Sequence, residues 1–391
     1  MKKFIIIIIG IFLLTGCNYR ELNDLAIVSG ISIDRVDDEY EILVQVVNPT
    51  KNQEVSSSDE PEFITYTSHA KTLQEAFRNV IWESPRKIYG SQMQILLISE
   101  RLAKEDLKNI LDFFFRDPEI RMEFYVAIEK NNGNEALKTL TALDNLSSSN
   151  IKSSLEADSA YLGTSYLVTY EDLMNMYLDD NLEIVLPSIE VVGNYEEGEN
   201  ENNLKNSSDY SSVIIENLAV FKDNTLEGYL SRDDSIAYNF IKGNISSTLV
   251  SYECEDKKYL VSEIIDTKTE VEADVKKKKI SIKITGDASI NECTCDYDLA
   301  KEKVIKDINE KINKKIEKMI DDAIEEVKEE YNSDIYGFRD MFYKSDYKEF
   351  VKIKDNWYED IFPELKIEVK SDIGLIEKGK LLGGIYDKQE S

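Results

Sequence analysis

The sequence predicts an α+β fold divided among several domains, and three observations carry that prediction. The chain has 391 residues, too many for a single ordinary core of ~150 residues. Its first half alternates segments of helical apolar spacing with short β-rich runs, the pattern of mixed α/β units. Its second half holds strands that alternate apolar and polar residues, followed by one long helical stripe. That describes a C-terminal antiparallel sheet packed with long helices.

The elements follow in order. Lys2 and Lys3 precede an apolar run from Phe4 to Leu14, which ends in Leu14-Thr15-Gly16-Cys17. The run is far short of the ~20 residues a permanent membrane helix needs, so residues 1–16 read as an export signal. The last four residues resemble the bacterial lipobox, which implies cleavage before Cys17 and attachment of lipid to its thiol. Burial contributes ~0.8 kcal/mol per CH₂, so two or three acyl chains would hold the mature chain on a bilayer.

Strands are expected within 24–34 and at 39–48, then a polar, Ser-rich loop at 50–62. Thr72-Leu73-Gln74-Glu75 reads as a capping box that opens a helix ended by Pro85. Residues 94–99 read as a buried strand. Leu102, Leu107, Ile110, Leu111, Phe114 and Phe115 mark a second amphipathic helix stopped near Pro118, and 120–129 reads as another strand. Residues 134–143 and 168–179 look helical, 147–154 a Ser-rich connection and 184–192 extended. Residues 193–212 hold almost no aliphatic side chain and read as a linker.

Beyond it, strands are expected at 213–222, 244–252 and 258–266, then at Val271–Val275 and Ile280–Ile284, with Lys276–Lys279 as a solvated hairpin turn. From Leu299 to Tyr331 the isoleucines recur three or four apart, giving a helix about 50 Å long. A helix laid across a sheet explains that stripe better than a coiled coil, because the neighbouring strands need one face covered. The expected division is 1–16 signal peptide, 17–135 N-terminal α/β domain, 136–192 middle α/β domain with strands shared with the first allowed, 193–212 linker and 213–391 C-terminal domain.

Composition narrows the chemistry. Lys and Arg total 47 against 76 Asp and Glu, a formal charge of −29, the opposite of a nucleic-acid-binding footprint. A single histidine, His69, in what reads as a polar loop before a helix, supplies no pair for a His-ligated metal or a relay. Cys254, Cys293 and Cys295 read as buried or free thiols; pairing Cys254 with either of the others would leave an odd one. The acidic pairs Asp37-Asp38, Asp233-Asp234 and Asp321-Asp322 read as solvated faces. The sequence contains no phosphate loop, nucleophile elbow or zinc-protease motif, so no catalytic residue, metal or cofactor is expected.

Four ordered segments carry a resemblance to a known family. They are Arg20–Asp24 with Leu25–Val28, then Arg116–Arg121 (RDPEIR), then Ala219–Asp223 with Leu226, Gly228 and Leu230. The fourth is Tyr331–Phe338 (YNSDIYGF) with Asn356-Trp357, Ile361-Phe362-Pro363 and Gly374-Leu375. On these the chain resembles the Ger(x)C family, the C-subunit lipoproteins of spore germinant receptors. The chain departs from the family pattern at Phe342–Asp346, where a basic-proline stretch is usual, and at Ser371-Asp372-Ile373.

The resemblance implies three α/β domains and a non-enzymatic role in nutrient-triggered germination. It also implies a complex with an integral A subunit and a transporter-like B subunit at the outer face of the spore inner membrane. Asp334, Gly337, Phe338, Trp357 and Phe362 are the candidate motif residues. Asp334 is expected to cap a helix, Gly337 to supply positive φ and the aromatics to be core, with Trp357 or Phe338 as partner contacts the other option. The alternative function is a substrate-binding lipoprotein of an importer, which would show two α/β lobes around a ligand cleft.

Overall fold

The computed structural model describes residues 24–48, 61–105, 107–131, 134–206, 208 and 210–377. The signal segment, Cys17, Arg20 and most of the 50–62 loop lie outside them.

The first half is built on an eight-stranded sheet. Strands β1 (Leu25–Val36) and β2 (Glu39–Val47) form a hairpin, continued by β3 (Phe63–Ala70). Asp37 and Asp38 both take positive φ at the β1–β2 turn, so this acidic pair is a two-residue turn matched to the strand twist. Helix α1 (Leu73–Asn79) is capped by Thr72, whose Oγ1 accepts from the Glu75 N–H. A short strand β4 (Lys87–Tyr89) then pairs with the start of β1. Next come β5 (Ile95–Ser99), α2 (Glu100–Ala103), α3 (Lys108–Arg116) and β6 (Tyr125–Glu129). Helices α4 (Ser147–Tyr161) and α5 (Tyr170–Leu178) lead to β7 (Val185–Leu186) and β8 (Ser188–Gly193). The sheet order is β3-β2-β1-β5-β6-β8, with β1, β5, β6 and β8 parallel.

Three expectations fail here. Residues 134–143 are not a helix: the buried Glu129 carboxylate accepts the N–H groups of Asn134, Glu135 and Ala136 and pulls the segment into turns. The Ser-rich stretch at 147 is a helix, α4. Its small residues let it lie against β1, where a Cβ on Gly30 would come within 2.9 Å of Ser148 Cβ, and Gln45 Oε1 accepts the Ser148 N–H at 3.1 Å. The expected linker is folded too. It forms α6 (Tyr195–Gly198), α7 (Asn202–Lys205) and β9 (Ser211–Ile215), which pairs with β8 as the sheet's last strand. Buried Asn203 organises it, donating to Leu140 O and Ser211 O while its Oδ1 accepts from the Tyr210 and Ser211 N–H groups. Polar composition there encodes an internal hydrogen-bonded anchor.

The second half begins with the hairpin β10 (Ala219–Lys222) and β11 (Thr225–Tyr229), followed by α8 (Arg232–Lys242). Strands β12 (Ser247–Glu255), β13 (Lys258–Asp274) and β14 (Lys279–Cys293) form an antiparallel meander with its turn at Lys276–Lys278. Helix α9 (Glu302–Glu330) crosses over to α10 (Phe338–Ser345), α11 (Tyr347–Phe350) and β15 (Lys366–Glu377). Because a helical crossover returns the chain in the same direction, β15 joins the antiparallel meander parallel to β14. Ile308, Ile312, Ile316, Ile320 and Ile324 of α9 are fully buried in the core shared with this sheet and α8, so the stripe covers a sheet.

The cysteines differ from expectation. Cys254 and Cys295 form a disulfide across a Cα–Cα distance of 6.2 Å, and Cys293 is free. Strand register brings the ends of β12 and β14 to opposite flanks of β13, which a count of cysteines does not reveal.

The halves share a wall. Strand β10 pairs with both β7 and β11, and its side chains alternate. Val185 and Val220 enter the C-terminal core, whereas Leu186, Ala219 and Phe221 enter the N-terminal one.

Candidate functional site

The wall is where the motif residues gather. As α9 ends, Ser333 Oγ donates to Phe221 O at 2.7 Å, and Tyr331 Oη donates to Tyr229 O at 3.0 Å. A Cβ on Gly228 would lie 2.7 Å from the Tyr331 ring, so glycine is required for that approach. The third and fourth segments quoted from the sequence therefore touch.

Asp334 is fully buried, and its two carboxylate oxygens accept the N–H groups of Phe338 at 3.0 Å and Arg339 at 2.6 Å. These are first-turn donors of α10, which no helical carbonyl can satisfy. Gly337 turns the chain at φ 77°, and a Cβ there would press on Leu182 Cδ2 at 3.2 Å. Arg339 then reaches across to Asp180 O at 2.8 Å.

Two aromatic ladders flank this turn. Phe338 stacks on Tyr336 at 5.4 Å, Tyr336 meets Tyr238 at 6.0 Å, and Tyr238 meets Tyr166 of the first half at 5.4 Å. Trp357 stands edge-on to Phe342 at 5.3 Å and stacks on Phe362 at 6.4 Å. Phe338, Trp357 and Phe362 are buried, so the motif aromatics are core and offer a partner no surface.

Three charged side chains converge on the same seam. Lys242 Nζ, at the end of α8, donates to Tyr336 O at 3.2 Å and lies over the Tyr238 ring. Tyr358 Oη donates a short hydrogen bond to Glu183. Burial pushes Asp334 up to about 7, against the pull of the two N–H donors and of Lys242. Burial also raises Glu183 and lowers Lys242. Both Asp334 oxygens are engaged in the interior, so the cluster sets the position of α10 on the seam and presents no reactive group.

Nothing local in the sequence marks Glu183 or Tyr358. Lys242 is marked: Ser231 and Asp234 form a capping box, and Gly243 ends the helix in the left-handed region. Cys17, the expected lipid site, lies outside the described residues. His69 is on β3, not in a loop, half exposed and 3.4 Å from a Glu41 carboxylate oxygen.

One open cleft bears on the ligand-binding alternative. It encloses about 650 Å³ at the carboxyl ends of β5 and β6 and is lined by Arg101, Lys104 and Lys130, among others. Each cation already faces a carboxylate: Asp34, Glu100 and Glu216 respectively. The cleft is internally neutralised.

Two family models match the chain in tandem. One describes the N-terminal domain of spore germination proteins and covers residues 18–191; the other, spore germination B3/GerAC like, C-terminal, covers 216–379. The curated spore germination protein KC of Bacillus subtilis (strain 168) is 27% identical over 380 residues, 94% of this chain and 93% of that protein. Spore germination protein B3 of the same strain is 28% identical over 134 residues, 34% of this chain and 35% of that protein. The crystal structure of the GerBC protein superposes with a TM-score of 0.54 at 16% identity, covering 89% of this chain and 97% of that one. That likeness shows a common fold.

Proposed function

The chain belongs to the Ger(x)C family of spore germination proteins through both of its halves, and from that premise we propose that it acts as a lipid-anchored receptor subunit that works by protein contact. A role in spore germination follows from the family. The finer reading is that Cys17 carries the lipid, that the folded body sits on the outer face of the spore inner membrane, and that it completes a germinant receptor with two integral membrane subunits.

The observation that carries this reading is how the most specific motif is used. Asp334 holds the first turn of the helix at Phe338, Gly337 packs against Leu182, and Phe338, Trp357 and Phe362 are buried, so the motif is used for packing. Such a body acts through its surface.

The test is recovery of the tagged chain from detergent-solubilised spore membranes. Two integral membrane proteins are expected to co-purify in stoichiometric amount. Recovery of the chain alone, or turnover of a substrate by the purified protein, would contradict the proposal.

A further inference from the structure

The proposed anchoring leaves open which face of the body meets the bilayer. Strand β1 begins beside β4: Leu25 pairs with Lys87 and Ala26 with Ile88. Cys17 stands eight positions before Leu25. At ~3.5 Å per residue, the link between them spans about 28 Å at most, so a lipid on Cys17 holds the β1–β4 edge close to the membrane surface.

That edge carries an apolar concavity of about 630 Å³, lined by Phe77, Ile81, Ile88 and Phe113, with Arg78 and Arg116 also in its wall. Ile81 is 50% exposed, and the adjacent Trp82 is 83% exposed. The chain has only two tryptophans, and the other, Trp357, is 1% exposed. Trp82 thus stands exposed beside an apolar groove, five positions before Lys87, which pairs with the first residue of β1.

Charge supports the same face. The chain as a whole is strongly negative, which opposes approach to anionic headgroups. Around the groove, across 74–88 and 112–121, Arg78, Arg86, Lys87, Arg116 and Arg121 match Glu75, Glu83, Asp112, Asp117 and Glu119 one for one. Lys87 pairs with Glu119 and Arg116 with Asp112, which leaves Arg78, Arg86 and Arg121, and equally Glu75, Glu83 and Asp117, without an ion pair among the described residues. A charge-balanced island with a free tryptophan and unpaired arginines suits the interfacial zone of a bilayer, where an indole is half buried and guanidinium groups reach phosphates.

We propose that the α1–β4–α3 face, with Trp82 at its tip, docks into the headgroup region of the bilayer that carries the Cys17 lipid. This inference deepens the anchoring reading and rests on it. The tether supplies proximity, and Trp82 and Ile81 fix which side faces down.

The test separates docking from lipidation. The chain from residue 17 onward, with Cys17→Ser and an N-terminal hexahistidine tag, is held on vesicles of phosphatidylcholine and phosphatidylglycerol (7:3) containing nickel-chelating lipid. Tryptophan emission is compared between brominated and unbrominated acyl chains. Bromine should lower the Trp82 emission about twofold, and Trp82→Phe should abolish the bromine-dependent part, since Trp357 is buried. Unchanged emission overturns the proposal whether or not the native protein is acylated. Shielding of Trp82 only when solubilised spore-membrane proteins are added, or self-association of the chain without vesicles, would assign the face to a protein partner or to a second copy, and either overturns it. Lipidation itself is read separately, from the intact mass of the native protein.

Discussion

Replacing Asp334 by alanine should loosen the seam by a calculable amount. The carboxylate is fully buried and satisfies two N–H donors, of Phe338 and Arg339, that have no other partner in the first turn of α10. Leaving a buried donor unmade costs about 1–3 kcal/mol, so losing both costs about 2–6 kcal/mol, a large part of a typical 5–15 kcal/mol. At about 2–4 °C per kcal/mol, the figure for a unit of 150–250 residues, the loss should lower the melting temperature by roughly 4–24 °C.

Its pH dependence has a definite sign. Burial raises Asp334 from its usual range to about 7, so between about pH 4 and 7 the unfolded chain ionises this carboxyl while the folded chain keeps the proton. The native carboxyl is therefore least costly at low pH, and the stability lost on replacement by alanine should be greater at pH 5 than at pH 7.5. Urea unfolding followed by far-ultraviolet circular dichroism at both values measures it. A loss below 0.5 kcal/mol, or one that grows with pH, would show that the buried Asp334 carboxyl does not hold α10 in this way.

Other perturbations test separate parts. Cys254→Ser opens a disulfide that spans 41 positions and should cost about 4 kcal/mol in the chain-entropy account, seen as a lower urea midpoint that matches reduced wild type. Trp357→Ala should cost about 3–5 kcal/mol, because the indole fills a fully packed aromatic cluster; a thermal shift of a degree or less would contradict that. Gly337→Ala forces a side chain into positive φ against Leu182 and should cost about 1–3 kcal/mol, whereas a stabilised variant would show that the turn relaxes freely.

Elements whose burial is one-sided could be read from the sequence. The isoleucine stripe of α9 and the alternation in β13 and β14 each report a single covered face. Helices α4 and α8 escaped because their burial is not a simple apolar stripe. Helix α8 is enclosed on nearly every side, with Asp234, Ser235 and Asn239 inside, and α4 buries serines against Gly30. The stretch around Asn203 read as a linker because its order comes from side-chain amide bonds, which composition does not distinguish from solvated polarity. At the seam, Asp334 and Gly337 were visible as a cap and a turn. Glu183, Lys242 and Tyr358 come together only through tertiary folding, and nothing local in Glu183 or Tyr358 marks them.

We propose that a lipid on Cys17 holds this body where it contacts its membrane neighbours. The most direct test of that anchoring is the partition of the protein between membrane and soluble fractions of broken spores in which Cys17 is replaced by alanine. The folded protein should leave the membrane fraction; a variant that stays there in wild-type amount would contradict anchoring through Cys17.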